Sequence, residues 1–299
     1  MVSPLRFPFL PCAVLLAALL PVTGRAQDNY EIQVYGASLV PAQRTMIELH
    51  SDGRLDVWVA PASSSPAMKT FGTEAMKRAA AARALEFIRS GTVIGLGTGS
   101  TVRPLLGLLA ERLASGGLRD VVAVPTSEDT ARRCREGGIP LVTLAEHPVL
   151  ALAIDGADEV SPRLDLIKGL GGALLREKLV AQATKRFIVV ADESKLVRRL
   201  GTRAPVPVEV VPFGWSALLP FFEKLGAEPR LRLEPDGSPA LTDNGNYLVD
   251  CRFARGIPDP AALARALAKR TGVVEDGLFL RMARVAVVAG TGGVRLLKR

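Results

Sequence analysis

Acidic side chains and one lysine gather around two short segments in the middle of the chain. The apolar stretch 150–154 ends at an acidic run, and the stretch 164–167 ends at a lysine and a glycine-rich turn, 169–172. Open α/β sheets bind ligands at the carboxyl ends of their strands, where carboxylates can transfer protons and an ammonium group can stabilise negative charge. The layout is typical of an active site, and its ionisable residues are Asp155, Asp158, Glu159, Lys168 and Glu177.

The turn Gly97-Thr98-Gly99-Ser100-Thr101 joins a predicted strand to a predicted helix. Such a turn presents backbone N–H groups and the positive end of a helix to an anion, and its three hydroxyl side chains add donors. It lacks the lysine of a P-loop and the third glycine of a dinucleotide fingerprint, so it favours a phosphate group over a nucleotide. A turn that is glycine-rich only for tight packing is the alternative.

The second glycine-rich turn, 169–172, is interpreted as another anion-facing turn, because a plain tight connection would not explain Lys168 before it. Charged residues also follow the predicted strand 187–190, in the run Asp192-Glu193-Ser194-Lys195. We expect Asp192 and Glu193 to lie in a solvated loop, and we keep Lys195 as a candidate contact for phosphate or for a hydroxyl group.

Strands and helices alternate after residue 68, and these elements must position the site. Repeated strand–helix–strand units predict a parallel sheet covered by helices, so the fold class is α/β with a Rossmann-like main domain. The predicted helices are 73–89, one ending near 114, 128–135 and 174–183; the predicted strands are 92–96, 121–124, 141–144, 150–154 and 187–190.

Past Pro205 the pattern predicts a smaller inserted α+β domain that serves as a lid or as a surface for self-association. The apolar run 285–289 is predicted to return to the main sheet. The predicted main domain is therefore 68–205 with 272–299, and the small domain is 206–271. Its predicted strands are 209–213, 230–233 and 247–253, and its predicted helices are 217–225 and 260–271.

Composition limits the classes of partner. The chain has 299 residues, 48% of them hydrophobic, which is enough for a sizeable core. Its net charge is +8, but the basic residues are scattered among acids and aromatic residues make up only 5%. A small anionic substrate accounts for this charge, and nucleic-acid binding is not expected. Cys134 and Cys251 are predicted to be two buried thiols, with a disulfide as the alternative.

The first 67 residues differ in character from the rest. Residues 1–27 are predicted to be a secretory signal, with an apolar stretch at 7–22 and small residues around Ala26. The segment is too short and too interrupted by prolines to predict a stable membrane span. Residues 28–67 are predicted to be an extension with short strands near 30–36 and 54–59 and a linker at 61–66.

Six segments in order carry a further signal: 93–101, 154–159, 168–178, 192–195, 207–213 and 242–246. Together they resemble ribose-5-phosphate isomerases of the type A class, and the resemblance runs from about residue 68 to the C-terminus. It implies interconversion of ribose 5-phosphate and ribulose 5-phosphate in the pentose phosphate pathway, with neither metal nor organic cofactor. It also implies a homodimer or homotetramer and a cytoplasmic enzyme, whereas the signal-like leader favours a periplasmic or secreted one.

The resemblance also assigns roles to residues. Glu177 matches the base, Asp155 and Lys168 the residues that handle the substrate oxygens, and Asp158 the residue that assists opening of the furanose ring. Leu170 and Asp276 depart from the pattern, where some relatives carry glycine and histidine. The implied substrate-contacting positions are Thr98, Gly99, Ser100, Thr101, Gly156, Ala157, Gly169, Leu170, Gly171 and Lys195.

Two alternatives belong to other functional classes. A sugar-phosphate sensor on a related fold would carry a DNA-binding helix-turn-helix before residue 90, and no basic recognition helix is found there. An exported binding protein is favoured only by the leader. His147 precedes Pro148 in a predicted loop and is interpreted as structural.

Overall fold

The computed structural model describes residues 73–299 and the backbone of three earlier strands, Ile32–Val34, Arg44–Leu49 and Leu55–Ala60. The predicted signal at 1–27 and linker at 61–66 lie outside the described residues. Within the described part of the chain, no helix has both the length and the apolar character needed to cross a membrane.

Sixteen strands and six α-helices are described, with 3₁₀ turns at Glu193–Lys195 and Trp215–Leu218. The helices are α1 (Thr73–Leu85), α2 (Arg103–Ala114), α3 (Glu128–Glu136), α4 (Leu174–Gln182), α5 (Leu219–Lys224) and α6 (Pro260–Ala268). The strands are β1 (Ile32–Val34), β2 (Arg44–Leu49), β3 (Leu55–Ala60), β4 (Val93–Leu96), β5 (Val122–Pro125), β6 (Leu152–Gly156), β7 (Glu159–Val160), β8 (Leu166–Ile167), β9 (Phe187–Asp192), β10 (Val206–Val210), β11 (Glu228–Leu231), β12 (Tyr247–Arg252), β13 (Val273–Asp276), β14 (Leu278–Phe279), β15 (Ala283–Gly290) and β16 (Gly293–Lys298).

The main sheet has the order β1-β2-β3-β16-β15-β9-β6-β4-β5, and its strands from β15 to β5 are parallel. Helices cover both faces of these parallel strands, which are largely apolar and carry Asp155 and Asp192 near the carboxyl ends of β6 and β9. In β9, Ile188 and Val190 pack in the cluster that includes residues of α1, α2 and α3, whereas Val189 and Ala191 pack in the cluster that includes residues of α4. The α/β class predicted from the sequence is confirmed.

The order of the strands reverses at β4. The chain runs from β4 to β5 on one side and then returns to β6 on the other side of β4. Such a reversal leaves a crevice at the carboxyl ends of the two strands, where α/β proteins bind ligands. The turn 97–101 follows β4, and Asp155 lies in the last part of β6, so both candidate segments meet at this crevice.

A second sheet, β11-β12-β10-β13, packs against α5 and α6, and a small third sheet has the order β14-β8-β7. The predicted return of 285–289 to the main sheet is observed, because β15 pairs in parallel with β9. Strand β13 pairs with β10 although it lies after residue 271. The division into a main domain and an inserted domain stays a prediction.

Several elements differ from the prediction. Residues 141–144 do not form a strand: Leu141 makes a single bridge with Ala123, and Glu146 then holds a turn by accepting hydrogen bonds from the backbone and hydroxyl of Thr143. The prediction of a solvated Asp192 is wrong, because its carboxylate is buried and accepts hydrogen bonds from Ser194. Cys134 and Cys251 are free and buried, as predicted.

Candidate active site

Asp155 is fixed at the carboxyl end of β6 by two backbone donors. Its Oδ1 accepts hydrogen bonds from the N–H groups of Thr98 (3.1 Å) and Gly156 (2.7 Å). The contact with Thr98 requires glycine at position 97, where an added Cβ would lie 1.9 Å from the same oxygen. The glycine therefore permits the first candidate loop to close onto the acidic run.

Lys168 lies between the two acids that the sequence singles out. Its Nζ is 3.0 Å from Oδ2 of Asp155 and 3.2 Å from Oε1 of Glu177, and it donates a hydrogen bond to the backbone oxygen of Gly156 (2.7 Å). The Lys168 side chain is only 2% exposed. Asp155, Lys168 and Glu177 form what we call the acid–lysine cluster.

Glu177 reaches the cluster from the first turn of α4. Its side chain is 5% exposed, and its Oε2 is buried without a hydrogen-bond partner among the described residues. A buried carboxylate oxygen without a partner costs free energy, so its retention calls for an explanation. A substrate proton is a partner that such an oxygen can accept.

The cluster perturbs its own ionisation. Burial, followed by the negative charge of Asp155, raises the pKa of Glu177 to about 8. Burial also raises the pKa of Asp155, although Lys168 opposes this shift. Burial acts to lower the pKa of Lys168, but the charges of Asp155 and Glu177 outweigh it and the pKa is raised. Lys168 therefore stays charged at neutral pH while Glu177 exchanges its proton near that pH.

The loop 97–101 combines donors of several kinds. Among residues 73–299, no backbone carbonyl accepts from the N–H of Ser100 or Thr101, so these groups are free for an anion near the start of α2. The hydroxyl of Thr98 points elsewhere, to a cluster with Thr126 and Ser127, each 2.8 Å away. Thr98 thus contributes its backbone to the crevice and its side chain to support of the loop.

Lys77 is a candidate site residue that sequence reasoning did not identify. It lies on α1, is 13% exposed, and its Nζ donates to Ser100 Oγ at 3.1 Å. The same ammonium group pairs with the exposed Glu74 at 2.8 Å, and it reaches the loop that lacks the lysine of a P-loop. No motif surrounds Lys77, and only the packing of α1 against α2 brings it to the loop.

The turn 169–172 is tied to the acidic run. The N–H of Leu170 donates to Oδ2 of Asp158 (3.0 Å), and Arg232 donates to the backbone oxygen of Leu170 (2.9 Å). The Leu170 side chain is exposed, and Gly169 has a φ of +98°, which favours glycine. An added Cβ at Gly171 would lie 3.9 Å from the Thr98 side chain, so the two glycine-rich turns are neighbours.

The remaining predicted contacts are Gly156, Ala157 and Lys195. An added Cβ on Gly156 would lie 3.6 Å from the side chain of Thr101, and Ala157 is buried next to it. Lys195 is half-buried in the 3₁₀ turn after β9, on the same edge of the sheet. Among the described residues, no hydrogen bond or ion pair connects Lys195 with the acid–lysine cluster.

Comparison with known proteins agrees with the motifs. The family model for ribose 5-phosphate isomerase A (phosphoriboisomerase A) matches residues 122–293. The ribose-5-phosphate isomerase A of Roseiflexus castenholzii is 56% identical over 73% of this chain and 93% of its own length. That of Chloroflexus aurantiacus is 51% identical over 76% of this chain and 95% of its own length.

Solved structures show the same likeness. A D-ribose-5-phosphate isomerase in complex with phospho-erythronic acid superimposes with a TM-score of 0.75 at 41% identity, covering 77% of this chain and all of that one. The ribose 5-phosphate isomerase A of Methanocaldococcus jannaschii gives a TM-score of 0.73 at 37% identity, covering 76% of this chain and all of that one. The chain belongs to the ribose 5-phosphate isomerase A family.

Proposed function

We propose that the protein interconverts D-ribose 5-phosphate and D-ribulose 5-phosphate through an enediolate, with Glu177 as the base. The observation that supports this most strongly is the buried Glu177 carboxylate, with one oxygen 3.2 Å from Lys168 and the other without a partner among the described residues. A base with a pKa near the working pH is present in a useful fraction as the ionised form and still has a high affinity for the proton that it removes.

The proposed reaction moves one proton between neighbouring carbons. Glu177 removes the proton from C2 of the open-chain aldose, and the electron pair forms the enediolate. The hydroxyl proton passes from O2 to O1, and Glu177 returns a proton to C1, which leaves the carbonyl at C2. Lys168 stabilises the negative oxygen, because a fixed charge in a site poor in water acts more strongly than in bulk solvent. Asp155 holds Lys168 in place, and Asp158 assists opening of the furanose ring.

The proposed phosphate site is the loop 97–101 together with Lys77. The N–H groups of Ser100 and Thr101 and the ammonium group of Lys77 supply donors and positive charge. The phospho-erythronic acid bound to a similar structure pairs a phosphate with a carboxylic acid, whose two oxygens resemble those of an enediolate. This similarity supports a phosphate at one end of the site and the acid–lysine cluster at the other.

The test uses the full-length chain, ribose 5-phosphate and a chelator, and follows formation of the ketose. We expect metal-independent turnover in the wild type and a loss of about 10²- to 10⁴-fold in kcat for Glu177→Gln. Glu275→Gln is the matched control, because Glu275 pairs with the neighbouring Lys178. Wild-type protein that binds the sugar phosphate without turnover would instead indicate a sensor.

Self-association and location are separate proposals. We expect a homodimer or homotetramer, which light scattering after gel filtration would test. We also expect the enzyme in the cytoplasm, where sugar phosphates are found, and fractionation of cells that express the tagged chain would test this. Recovery of the active protein outside the cytoplasm would contradict it.

A further inference from the structure

The turn 242–246, which we call the amide turn, is seated on a buried carboxylate of the second sheet. Glu209 in β10 is fully buried, and a single oxygen, Oε1, accepts hydrogen bonds from Thr242 Oγ1 (2.9 Å), Asn244 Nδ2 (3.1 Å) and Asn246 Nδ2 (2.9 Å). Three hydrogen bonds to one buried oxygen therefore fix the amide turn to β10.

The other side of the amide turn holds Arg176. Asn244 Oδ1 accepts a hydrogen bond from Arg176 Nε (3.0 Å), and the backbone oxygen of Asp243 accepts one from Nη2 (3.0 Å). Asn244 thus uses both ends of its amide group, one toward Glu209 and one toward Arg176. We call the contacts from Glu209 through Asn244 to Arg176 the Asn244 relay. Arg176 directly precedes Glu177 on α4, so the relay ends at the helix turn that presents the proposed base.

The amide turn also contacts the helix beside the phosphate loop. Asp243 Oδ2 accepts a hydrogen bond from the N–H of Glu128 (2.8 Å), and Glu128 Oε1 is 2.7 Å from Nη1 of Arg176. Glu128 is the first residue of α3, whose N-cap, Ser127, contacts the hydroxyl of Thr98. One turn therefore links α3, α4 and β10.

We infer that Asn244 and Arg176 are positioning residues that hold α4 so that Glu177 meets the reacting carbon. The inference rests on the proposed function of Glu177 as base. Among the described residues, neither side chain makes a hydrogen bond or ion pair with the side chains of the acid–lysine cluster, so both act through the orientation of α4. A displacement of about 1 Å at a reacting group can lower the rate about 10²-fold. Such a loss appears in kcat, because binding of the ground state is unchanged.

The experiment compares Asn244→Ala with Asn246→Ala in the full-length chain. Each variant removes one amide donor to Glu209 Oε1, but only Asn244→Ala also removes the acceptor for Arg176. We expect Asn244→Ala to lower kcat about tenfold with KM within about twofold of wild type. Asn246→Ala should retain kcat within about twofold of wild type. Its Tm should fall by about as much as the Tm of Asn244→Ala, because each variant removes one hydrogen bond to Glu209.

Arg176→Lys gives an independent readout, because it keeps the charge and loses the fork of donors. We expect its kcat to fall as in Asn244→Ala, and the double variant to lose little more than either single one. Equal kcat values in Asn244→Ala and Asn246→Ala, or a change in KM with kcat unaltered, would overturn the inference. A low activity of Glu177→Gln in the same assays would still uphold the proposed function. An inactive wild type would overturn both.

Discussion

Glu177 is basic because it is buried beside another carboxylate. Water does not solvate the Glu177 carboxylate in this position, so ionising it costs free energy, and the negative charge of Asp155 adds to that cost. Lys168 offsets part of the cost and keeps both acids within hydrogen-bond distance. The raised pKa of Glu177 thus follows from its burial and from the charges that surround it.

The first prediction concerns activity against pH. Since the pKa of Glu177 is raised to about 8 and the proposed base must be ionised, kcat/KM should rise with pH, reach half of its maximum near pH 8 and level off above that pH. Lys168 remains charged over this range because its pKa is also raised. Steady-state rates from pH 5 to 9.5 would test this, and a midpoint near 4.5 would contradict it.

The second prediction concerns stability against pH. The pKa of Glu177 lies above its ordinary value of 4.5, so the folded state binds this proton more tightly than the unfolded state does. The stability that the protonated residue contributes is present below about pH 4.5 and is lost as the pH rises through about 8. The Tm of Glu177→Gln minus the Tm of wild type should therefore increase as the pH rises from 5 to 9. A constant difference in Tm would contradict this.

Short connections between elements set the geometry of the site. The two glycine-rich turns follow β4 and β8, and each brings backbone N–H groups to an acidic side chain, Thr98 to Asp155 and Leu170 to Asp158. The elements fix the ends of these turns, and the glycines allow them to pass closely. The site therefore depends on backbone shape as much as on ionisable side chains.

The third prediction compares two glycines. Gly97→Ala should lower the free energy of unfolding by about 1–3 kcal/mol and reduce kcat, because the new methyl group collides with Asp155. Gly107→Ala, inside α2, places a methyl group where nothing lies within 4 Å. It should raise the free energy of unfolding by up to about 1 kcal/mol and leave kcat unchanged. Denaturant unfolding and kcat measurements check both; a neutral Gly97→Ala would contradict the account.

Sequence reasoning located the parts of the site that depend on strand ends. Asp155 lies at the carboxyl end of the parallel strand β6, at the edge where α/β sheets bind ligands. Lys168 follows β8 of the small antiparallel sheet, and Glu177 lies in the first turn of α4. Lys77 could not be found in this way, because it is one lysine on a helix and reaches Ser100 only through packing of distant segments. The Asn244 relay depends on two contacts across the molecule and likewise leaves no local pattern.

The helices and strands with a local sequence pattern were also the ones that could be predicted. Long periodic helices and apolar strands were predicted within a few residues, because the spacing of their apolar side chains shows which face is buried. The strands β7 and β14 have two residues each and carry no periodic signal. Strand β16 was missed because its polar residues, Arg295 and Lys298, are three positions apart and give no strand-like alternation. Its pairing with β15 decides the structure.

At the scale of the whole molecule, the chain before residue 68 extends the main sheet. Strand β3 pairs with β16 in antiparallel fashion, with Val57 opposite Leu296 and Val59 opposite Val294. The strands β1 and β2 continue the sheet away from the parallel strands that form the crevice. None of the proposed site residues belongs to these three strands.

The fourth prediction follows from this arrangement. Deletion of residues 1–67 should leave kcat/KM within about twofold of the full-length value, because the crevice is far along the sheet from β3. The deletion uncovers the edge of β16, and unpaired edges promote association between sheets. Light scattering at increasing protein concentration should therefore show more association than for the full-length chain. A large loss of kcat/KM would contradict the separation of these strands from the site.

Exchange of the carbon-bound proton with solvent tests the central claim most directly. A single base that carries the proton through an enediolate can exchange it with water, so wild-type enzyme in D₂O should place deuterium on C1 of the ribulose 5-phosphate that it forms, as read by NMR or mass spectrometry. Glu177→Gln should incorporate deuterium at a rate lower by about 10²-fold or more. Incorporation by Glu177→Gln at the wild-type rate would contradict the assignment of Glu177 as the base.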